Sequence, residues 1–555
     1  TPKPSSAASD VYKRQVMSDS TEYPKLSKED IEKQTAIIEA TETSDNEIAS
    51  VSIKKSRNIF KILWYGIEGV ETKGIAPVTL DEQTDVSFWN TFFMWFSTNI
   101  GISGLSTGFL AIYYGLSYSS IILIIVFFGF ISCIPVAFFS TFNTGLRQLT
   151  LTRFFSGWFT TCFCFSVMNW ISSAGWCSIN SSAAAEALSA VNQSSGNNIP
   201  QWAALIILLV GSMIIVFFGY DAIHAYERLS WPAAIIVYLV LIARLKITGF
   251  VKMGSDSAIR SENIGNTFGF ISCLFGFSTA WSTSAADFTT YIPPTVAKWK
   301  TFLATFLGLY ASLLITNILG AAVCYAILNG PEEWTTLYDE NGFGAAVYAI
   351  LAPGTYLEST GSNAAMDGFA KFLTIILSLS SISMTCGSTY SLSLNSAQIH
   401  PVLTKVPRHI WALIGSLVSF ALSLAFAESG QFSSTFTNIM YLVGYYVSLY
   451  LGIFGCELFV FRKGRYDFFD VNDYNNFDKL PVGYASFGAM CVGIIGVFLG
   501  MNQSFWSGYI SRSVSDVGCE LGWVLGLCFS FVSYAVLRPM EARYNQKYHP
   551  QKYLI

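Results

Sequence analysis

From about residue 88 onward, long apolar runs without charge alternate with short polar or charged stretches. Ser119–Ser140, Gln201–Tyr220, Thr301–Leu328 and Val482–Gly500 show the pattern. A run of about 18 or more apolar residues is long enough to cross the hydrocarbon core of a bilayer as a helix. Only helices and closed barrels satisfy their backbone polar groups there, and a barrel strand would read as about ten alternating residues. The runs therefore predict helices, twelve of them, over about 88–114, 119–140, 155–190, 201–220, 231–249, 265–291, 301–328, 369–398, 410–427, 437–461, 482–500 and 518–537. The third, sixth and eighth are rich in Gly, Ser, Thr and Ala. Such residues sit where helices pack closely or line a polar site, and interrupted helices form the binding sites of transporters. The expected fold class is an all-α membrane protein. Residues 1–58 are polar and mixed in charge and read as a disordered cytoplasmic tail. The twelve-helix transporter domain is expected over 59–540 and a cytoplasmic tail over 541–555.

Composition sharpens this picture. Hydrophobic residues make up 52% of the chain and charged residues 12%, against about 25% charged in soluble proteins. A net charge of −4 gives no basis for a nucleic-acid partner. The eleven cysteines lie mostly inside apolar runs with no metal-ligand spacing, so they read as small apolar fillers and no metal is expected. No methionine leads Thr1–Val16, so Met17 is the expected start and the segment ahead of it is set aside.

Lysine and arginine favour the cytoplasmic side. With the N-terminal tail inside, eleven basic residues fall on inner loops, among them Arg147, Arg153, Lys298, Arg408 and Lys479. Five fall outside: Arg244, Lys246, Lys252, Arg260 and Arg512. Sequons at Asn192 and Asn502 fall on the outer side. An even number of spans puts both ends in the cytoplasm. No soluble segment is large enough to be an enzyme, so function must lie among the helices and no catalytic residue is expected. No nucleotide-hydrolysis motif is present, which favours secondary transport over an ATP-driven pump.

Polar groups at membrane depth are costly unless partnered, so each is a candidate for a site or pathway. The first span carries Met94-Trp95-Phe96-Ser97-Thr98-Asn99-Ile100-Gly101-Ile102-Ser103-Gly104. Its glycines and hydroxyls invite a break whose freed backbone groups could hold a ligand or cation; close packing through the glycines is the competing explanation. In the third span Trp176 and Asn180 share a helix face. An indole offers a stacking surface and an amide offers a donor and an acceptor, a pairing that suits a flat heterocycle, although tryptophan is also common at helix interfaces. The sixth span carries a second polar break around Trp281, from Gly276 to Asp287. Two tryptophans on different helices could sandwich one ring, and stacking on an aromatic side chain contributes about 1–3 kcal/mol per base. Glu186, Glu227, Asp287, Glu457 and Glu520 are the acids within or near the spans. Any of them could couple transport to protons, but Glu457 and Glu520, near helix ends, suit a structural or solvated role better.

With these residues in view, the chain resembles the fungal purine-cytosine permeases of the nucleobase-cation-symport-1 family. The resemblance runs through Glu71-Thr72-Lys73-Gly74-Ile75-Ala76-Pro77-Val78-Thr79, Met94-Trp95-Phe96-Ser97, Gly145-Leu146-Arg147-Gln148 and Gly175-Trp176 with Asn180. It continues through Phe218-Gly219-Tyr220, His224-Ala225-Tyr226-Glu227, Ala285-Ala286-Asp287-Phe288, Gly444-Tyr445-Tyr446 and Arg538-Pro539. It implies a five-plus-five inverted-repeat fold with two further helices and a central site between broken helices 1 and 6 and the third and eighth. It also implies proton-driven uptake across the plasma membrane. Carried over residue by residue, Ser97, Trp176, Asn180, Glu227 and Trp281 match positions linked to substrate binding or specificity. The chain departs from the family in the eighth span. Nucleobase carriers of the family show Asn-Asn-x-Pro-Asn there, whereas this chain has Met384-Thr385-Cys386-Gly387-Ser388. Hydroxyls bond a ligand but do not form an amide's paired donor–acceptor edge.

The expected function is a proton symporter importing a nucleobase such as cytosine or a purine. Trp176 and Trp281 would flank the ring, and Ser97, Asn180, Thr385 and Ser388 would bond its edges. Glu227, Asp287 and Glu186 are the candidates for specificity or coupling. The eighth-span departure keeps a vitamin B6 (pyridoxine) or nucleoside-like permease open as the alternative, and the long tail keeps a non-transporting nutrient sensor open. Ser380, Ser381 and Ser383 would equally suit a sodium ion beside first-span carbonyls. The expected partners are the lipid bilayer and a small-molecule cargo. No cofactor is expected, and no oligomeric state follows from the sequence.

Overall fold

The computed structural model describes residues 74–191, 199–251, 261–352, 364–429, 432–466 and 468–552. The expected tail over 1–58, Asn192, Lys252, Arg260 and the start of the Glu71–Thr79 string lie outside the described residues.

The apolar runs fold as helices. The first run holds α1 (Phe88–Asn99) and α2 (Ile102–Phe109). Between them Ile100 (φ −89°, ψ 16°) and Gly101 (φ −87°, ψ 179°) leave helical geometry. Ser87 caps α1 by accepting the Asn90 amide at 3.2 Å. Next come α3 (Tyr118–Phe139), the short α4 (Gln148–Ser156) and α5 (Ser166–Ala190), the last entered through a π-helical turn over Thr160–Phe165. α6 (Gln201–Phe218) and α7 (Tyr220–Thr248) meet at Gly219, whose φ of 80° only glycine adopts without strain. α8 (Ser261–Thr279) ends in two irregular turns, Ala280–Thr283 and Ala285–Phe288.

The rest of the chain supplies α9 (Lys298–Asn329), α10 (Glu332–Leu351), α11 (Ala364–Leu379), α12 (Ser381–Ile399), α13 (Arg408–Ser429) and α14 (Phe432–Gly455). A π-helical turn over Cys456–Phe461 extends α14. α15 (Tyr484–Gly500) follows. A small antiparallel hairpin pairs β1 (Asn502–Gln503) with β2 (Trp506–Ser507), and α16 (Tyr509–Val514) and α17 (Gly522–Tyr548) complete the chain. Among the described residues, eight helices are long and apolar enough to cross a membrane, judged by length and composition. The four other expected spans are the interrupted first and sixth, the polar third, and the 17-residue eleventh.

Two expectations need correction. The stretch from Asn329 to Gly368, left between the seventh and eighth expected spans as connecting loop, contains α10. Glu332 and Glu333 suit its first turn. Gly342, at φ 79°, splits it from a buried apolar half, Phe343–Leu351, which is too short to register as a run. The boundary at 540 also fails, because α17 continues to Tyr548 and buries Glu541 and Asn545. Lys552 Nζ donates to the carbonyls of Phe477 (2.7 Å) and Leu480 (2.8 Å). Residues 541–552 therefore pack onto the domain, and their charges hid this from a hydrophobicity pattern.

Packing fixes the two ends of the first span. α9 runs along α1, α2 and α3. A Cβ at Gly320 would lie 1.9 Å from the Leu105 carbonyl oxygen, and one at Gly108 would lie 2.0 Å from that of Asn317. The α2 and α9 backbones thus touch through glycine, as small residues permit between membrane helices. On the other side α5 packs against α12, α13, α10 and α6.

Glu457 and Glu520 are structural, as their places near helix ends imply. Glu520 accepts the amides of Asn502 (2.7 Å) and Gly522 (3.0 Å). Glu457 accepts from Arg538 Nε (2.9 Å) and Nη2 (3.1 Å), Arg462 Nε (2.9 Å) and Tyr534 Oη (3.0 Å). Arg538 Nη1 also reaches Glu541 Oε2 at 3.1 Å. The other Glu541 oxygen accepts the amides of Gly483 (2.9 Å) and Tyr484 (3.0 Å) at the start of α15. Glu541→Ala removes that cap, worth about 1 kcal/mol, while Arg538 keeps Glu457. The expected result is an apparent Tm lowered by about one degree in detergent, with an unchanged KM for cargo per surface molecule. A changed KM would mean that this contact reaches the site.

Candidate functional site

The irregular end of α8 lies against α5 and α12, and a narrow cavity of about 20 Å³ opens between them, room for about one water. Trp176, Asn169 and Ser173 line it from α5, Trp281 and Ser284 from the turns after α8, and Ser388 and Ser391 from α12. The two tryptophans expected on different helices therefore face one space. Trp176 is 8% exposed, its ring meets Phe277 edge-on at 5.5 Å, and its indole N–H has no partner among the described residues.

Trp281 is held from several sides. Its Nε1 donates to Asn99 Oδ1 at 3.0 Å, and Asn99 in turn donates to the Trp95 carbonyl at 2.9 Å. Trp95 and Phe288 meet the Trp281 ring edge-on at 5.8 Å and 5.9 Å. A Cβ at Gly387 would lie 3.2 Å from the Trp281 ring. The glycine in the departing eighth-span stretch thus lets this indole lie close to the α12 backbone. Asn99, at the last residue of α1, stands within the first-span string, yet its role as the anchor of Trp281 has no sequence signature.

A second cluster joins α1, α7 and α12. Glu227, fully buried, faces the hydroxyls of Ser97, Thr98 and Ser383. Ser383 Oγ is hydrogen-bonded with Glu227 Oε2 and also lies 3.1 Å from the Ser97 carbonyl oxygen. The Ser97 and Ser230 hydroxyls are 2.6 Å apart. Glu227 Oε1 has no partner among the described residues.

The remaining expected residues lie elsewhere. Ser97 belongs to the Glu227 cluster and does not line the tryptophan cavity. Thr385 lines a different small space, with Cys177, Ser212, Thr389 and Ser419. It shares a helix face with Thr389, whereas Ser388 and Ser391 face the tryptophans. Asn180 is 1% exposed and its Oδ1 has no partner among the described residues, yet it does not line the cavity.

The other two acidic candidates, Asp287 and Glu186, contact backbone amides. Asp287 Oδ1 accepts the Gln148 amide at 2.8 Å and its carbonyl accepts from Arg147 Nη1 at 2.8 Å, while Gln148 Oε1 accepts the Ala286 amide at 3.2 Å. Asp287 thereby fastens the start of α4 to the turn after α8. Glu186 stands where α10 bends, with the Gly342 Cβ position 2.8 Å from its Oε2, and its carboxylate accepts the Phe343 amide. It lines a separate, larger cavity of about 570 Å³ with Ser182, Tyr338 and Asp339. An acid in an apolar run looks the same in sequence whether it holds a backbone amide or carries a proton. Asn169 was missed outright, being a lone amide in mid-helix with no motif around it.

A purine-cytosine permease of Saccharomyces cerevisiae is 35% identical over 535 residues, covering 93% of this chain and 97% of that protein. A purine-cytosine permease of Emericella nidulans is 32% identical over 521 residues, covering 93% of this chain and 98% of that protein. The structure of Mhp1, a nucleobase-cation-symport-1 family transporter, in a closed conformation with bromovinylhydantoin bound, matches with a TM-score of 0.64 at 14% identity. The match covers 87% of this chain and 97% of that one, and shows that this chain has an Mhp1-like transporter fold. The family model described as permease for cytosine/purines, uracil, thiamine, allantoin matches residues 77–526. With a match of that length and relatives of that identity, this chain belongs to the cytosine/purine permease family and is a membrane transporter, not an enzyme.

Proposed function

We propose that the chain imports a nucleobase, cytosine or a purine, across the plasma membrane in symport with protons, through twelve spans with both termini in the cytoplasm. The observation that carries the cargo is the cavity shared by Trp176 and Trp281 and edged by the Asn169 amide and the Ser284, Ser388 and Ser391 hydroxyls. Flat faces and mixed donors and acceptors are what a heterocyclic base requires. The names of the relatives point to the same cargo. Helix order supports a five-plus-five inverted repeat. The chain leaves helical geometry after Asn99 in the first span and after Thr279 in the sixth. A further helix follows the second span (α4) and the seventh (α10). One bundle would rock against the other around the site.

Proton coupling is supported at Glu227. The Ser383 hydroxyl owns one proton and stands beside two acceptors, the Ser97 carbonyl and Glu227 Oε2. It can donate to only one of them. A proton on the carboxyl satisfies both contacts, with Glu227 donating to Ser383 and Ser383 to Ser97. Loading and releasing that proton would loosen and remake a contact between α1, α7 and α12.

The test is uptake of radiolabelled cytosine by host cells that lack their own nucleobase carriers. Concentrative uptake is expected, with competition by adenine and hypoxanthine, little competition by pyridoxine, and collapse on adding a protonophore. Sodium-dependent uptake that ignores the protonophore contradicts the coupling. Absence of uptake for every base at verified surface expression contradicts the cargo.

A further inference from the structure

The eighth span has lost the amides that would pair with a ring edge, yet the cavity retains one. Among the residues lining it only Asn169 carries a carboxamide; the other polar lining groups are hydroxyls and indoles. We propose that Asn169 reads the hydrogen-bonding edge of the cargo and so determines which bases are accepted. The proposal rests on the nucleobase reading above and adds to it the residue that discriminates between bases.

Position is the first argument. Asn169 lies seven residues before Trp176 on α5, two turns away on the same face, a rise of about 10 Å. A base stacked on the Trp176 ring would therefore turn an edge toward the amide. Asn169 is 2% exposed, so its polar atoms have only the cavity and its walls to bond with.

Unused bonding capacity is the second. Asn169 Oδ1 accepts from Thr283 Oγ1 at 2.7 Å and keeps a second lone pair. Its Nδ2 has two protons, and its contact with Ser284 Oγ is 3.4 Å long, beyond the usual range for N–H···O. Ser284 itself lines the cavity. A ligand can displace that long contact and gain one donor and one acceptor held side by side. Asparagine makes the same paired contact with adenine through one N–H and one oxygen. A site built on such pairing discriminates steeply against a ring that lacks one partner.

Position and bonding together also give Asn169 a mechanical role. Thr283 and Ser284 belong to the irregular stretch after α8, and both bond Asn169 on α5. Cargo that takes over the Asn169 amide would exchange a contact between these two elements for a contact through itself.

The experiment measures competition against radiolabelled cytosine in cells expressing wild-type protein, Asn169→Asp and Asn169→Ser, each normalised to surface amount. Adenine is compared with unsubstituted purine, which stacks equally but lacks the exocyclic amine. Asn169→Asp still accepts from Thr283 and, in place of donating to Ser284, can only accept from it, so it donates nothing; Asn169→Ser carries the test if the aspartate variant stays inside the cell. The expected result is an adenine-to-purine preference reduced by about tenfold or more, with the apparent affinity for purine little changed. A preference within about twofold of wild type, whether uptake falls or not, overturns the assignment, because a purely structural amide would weaken both ligands alike. Wild-type protein that takes up no base overturns the cargo reading itself, so the two failures are distinguishable.

Discussion

Cells expressing Trp176→Ala or Trp281→Ala are expected to lose most cytosine uptake at low substrate, and the double variant to lose all that can be measured, with protein at the surface in normal amount. The magnitude follows from stacking: each aromatic partner contributes about 1–3 kcal/mol to holding a base. That corresponds to a roughly 5- to 150-fold weakening for each ring removed. The two variants should differ in character. Trp281 is anchored by Asn99 and packed on Trp95 and Phe288, so its loss also loosens the turn after α8 and should lower the maximal rate. Trp176 packs edge-on with Phe277 and its N–H is unbonded among the described residues, so its loss should appear mainly in KM. Trp176→Phe, which keeps a ring, should recover much of the affinity. Initial rates across a cytosine concentration series, divided by surface-labelled protein, check this. Wild-type kinetics in both alanine variants would leave the indoles without a part in binding.

The second large effect is expected at Glu227. Glu227→Gln keeps the shape of the protonated acid and can donate to Ser383 as that acid would, but it cannot load or release a proton. The variant should bind cytosine and exchange labelled for unlabelled base across the membrane, yet fail to concentrate it. The steady-state ratio of inside to outside should fall to about one, the value for a carrier with no ion gradient to draw on. Proteoliposomes with an imposed pH gradient separate the two activities. Concentrative uptake equal to wild type would remove Glu227 from the coupling path and return attention to a cation held by first-span carbonyls and the Ser380–Ser383 hydroxyls.

The parts legible in the sequence share a cause. Long runs announce themselves, so helices such as α3, α6 and α9 fall close to their expected limits. Tryptophan in a polar break is conspicuous, which is why Trp176 and Trp281 stand out and do face one cavity. What stayed hidden depends on orientation or on contacts distant in sequence. Thr385 and Ser388 are three residues apart, but each keeps company with the residue one turn away from it, and the two pairs open onto different spaces. Asp287 and Glu186 are buried acids like Glu227, but they face the backbone amides of Gln148 and Phe343. The end of α17 was misread for a related reason. Glu541 and Lys552 look like solvated charge until Gly483, Tyr484, Phe477 and Leu480 supply their partners.

An experimental structure of the purified protein with cytosine bound tests the central claim most directly. The base should lie with its faces toward Trp176 and Trp281 and one edge against the α5 amide and the α12 hydroxyls, in a cavity widened from the present one. A base bound elsewhere in the bundle, touching neither indole, would contradict the account.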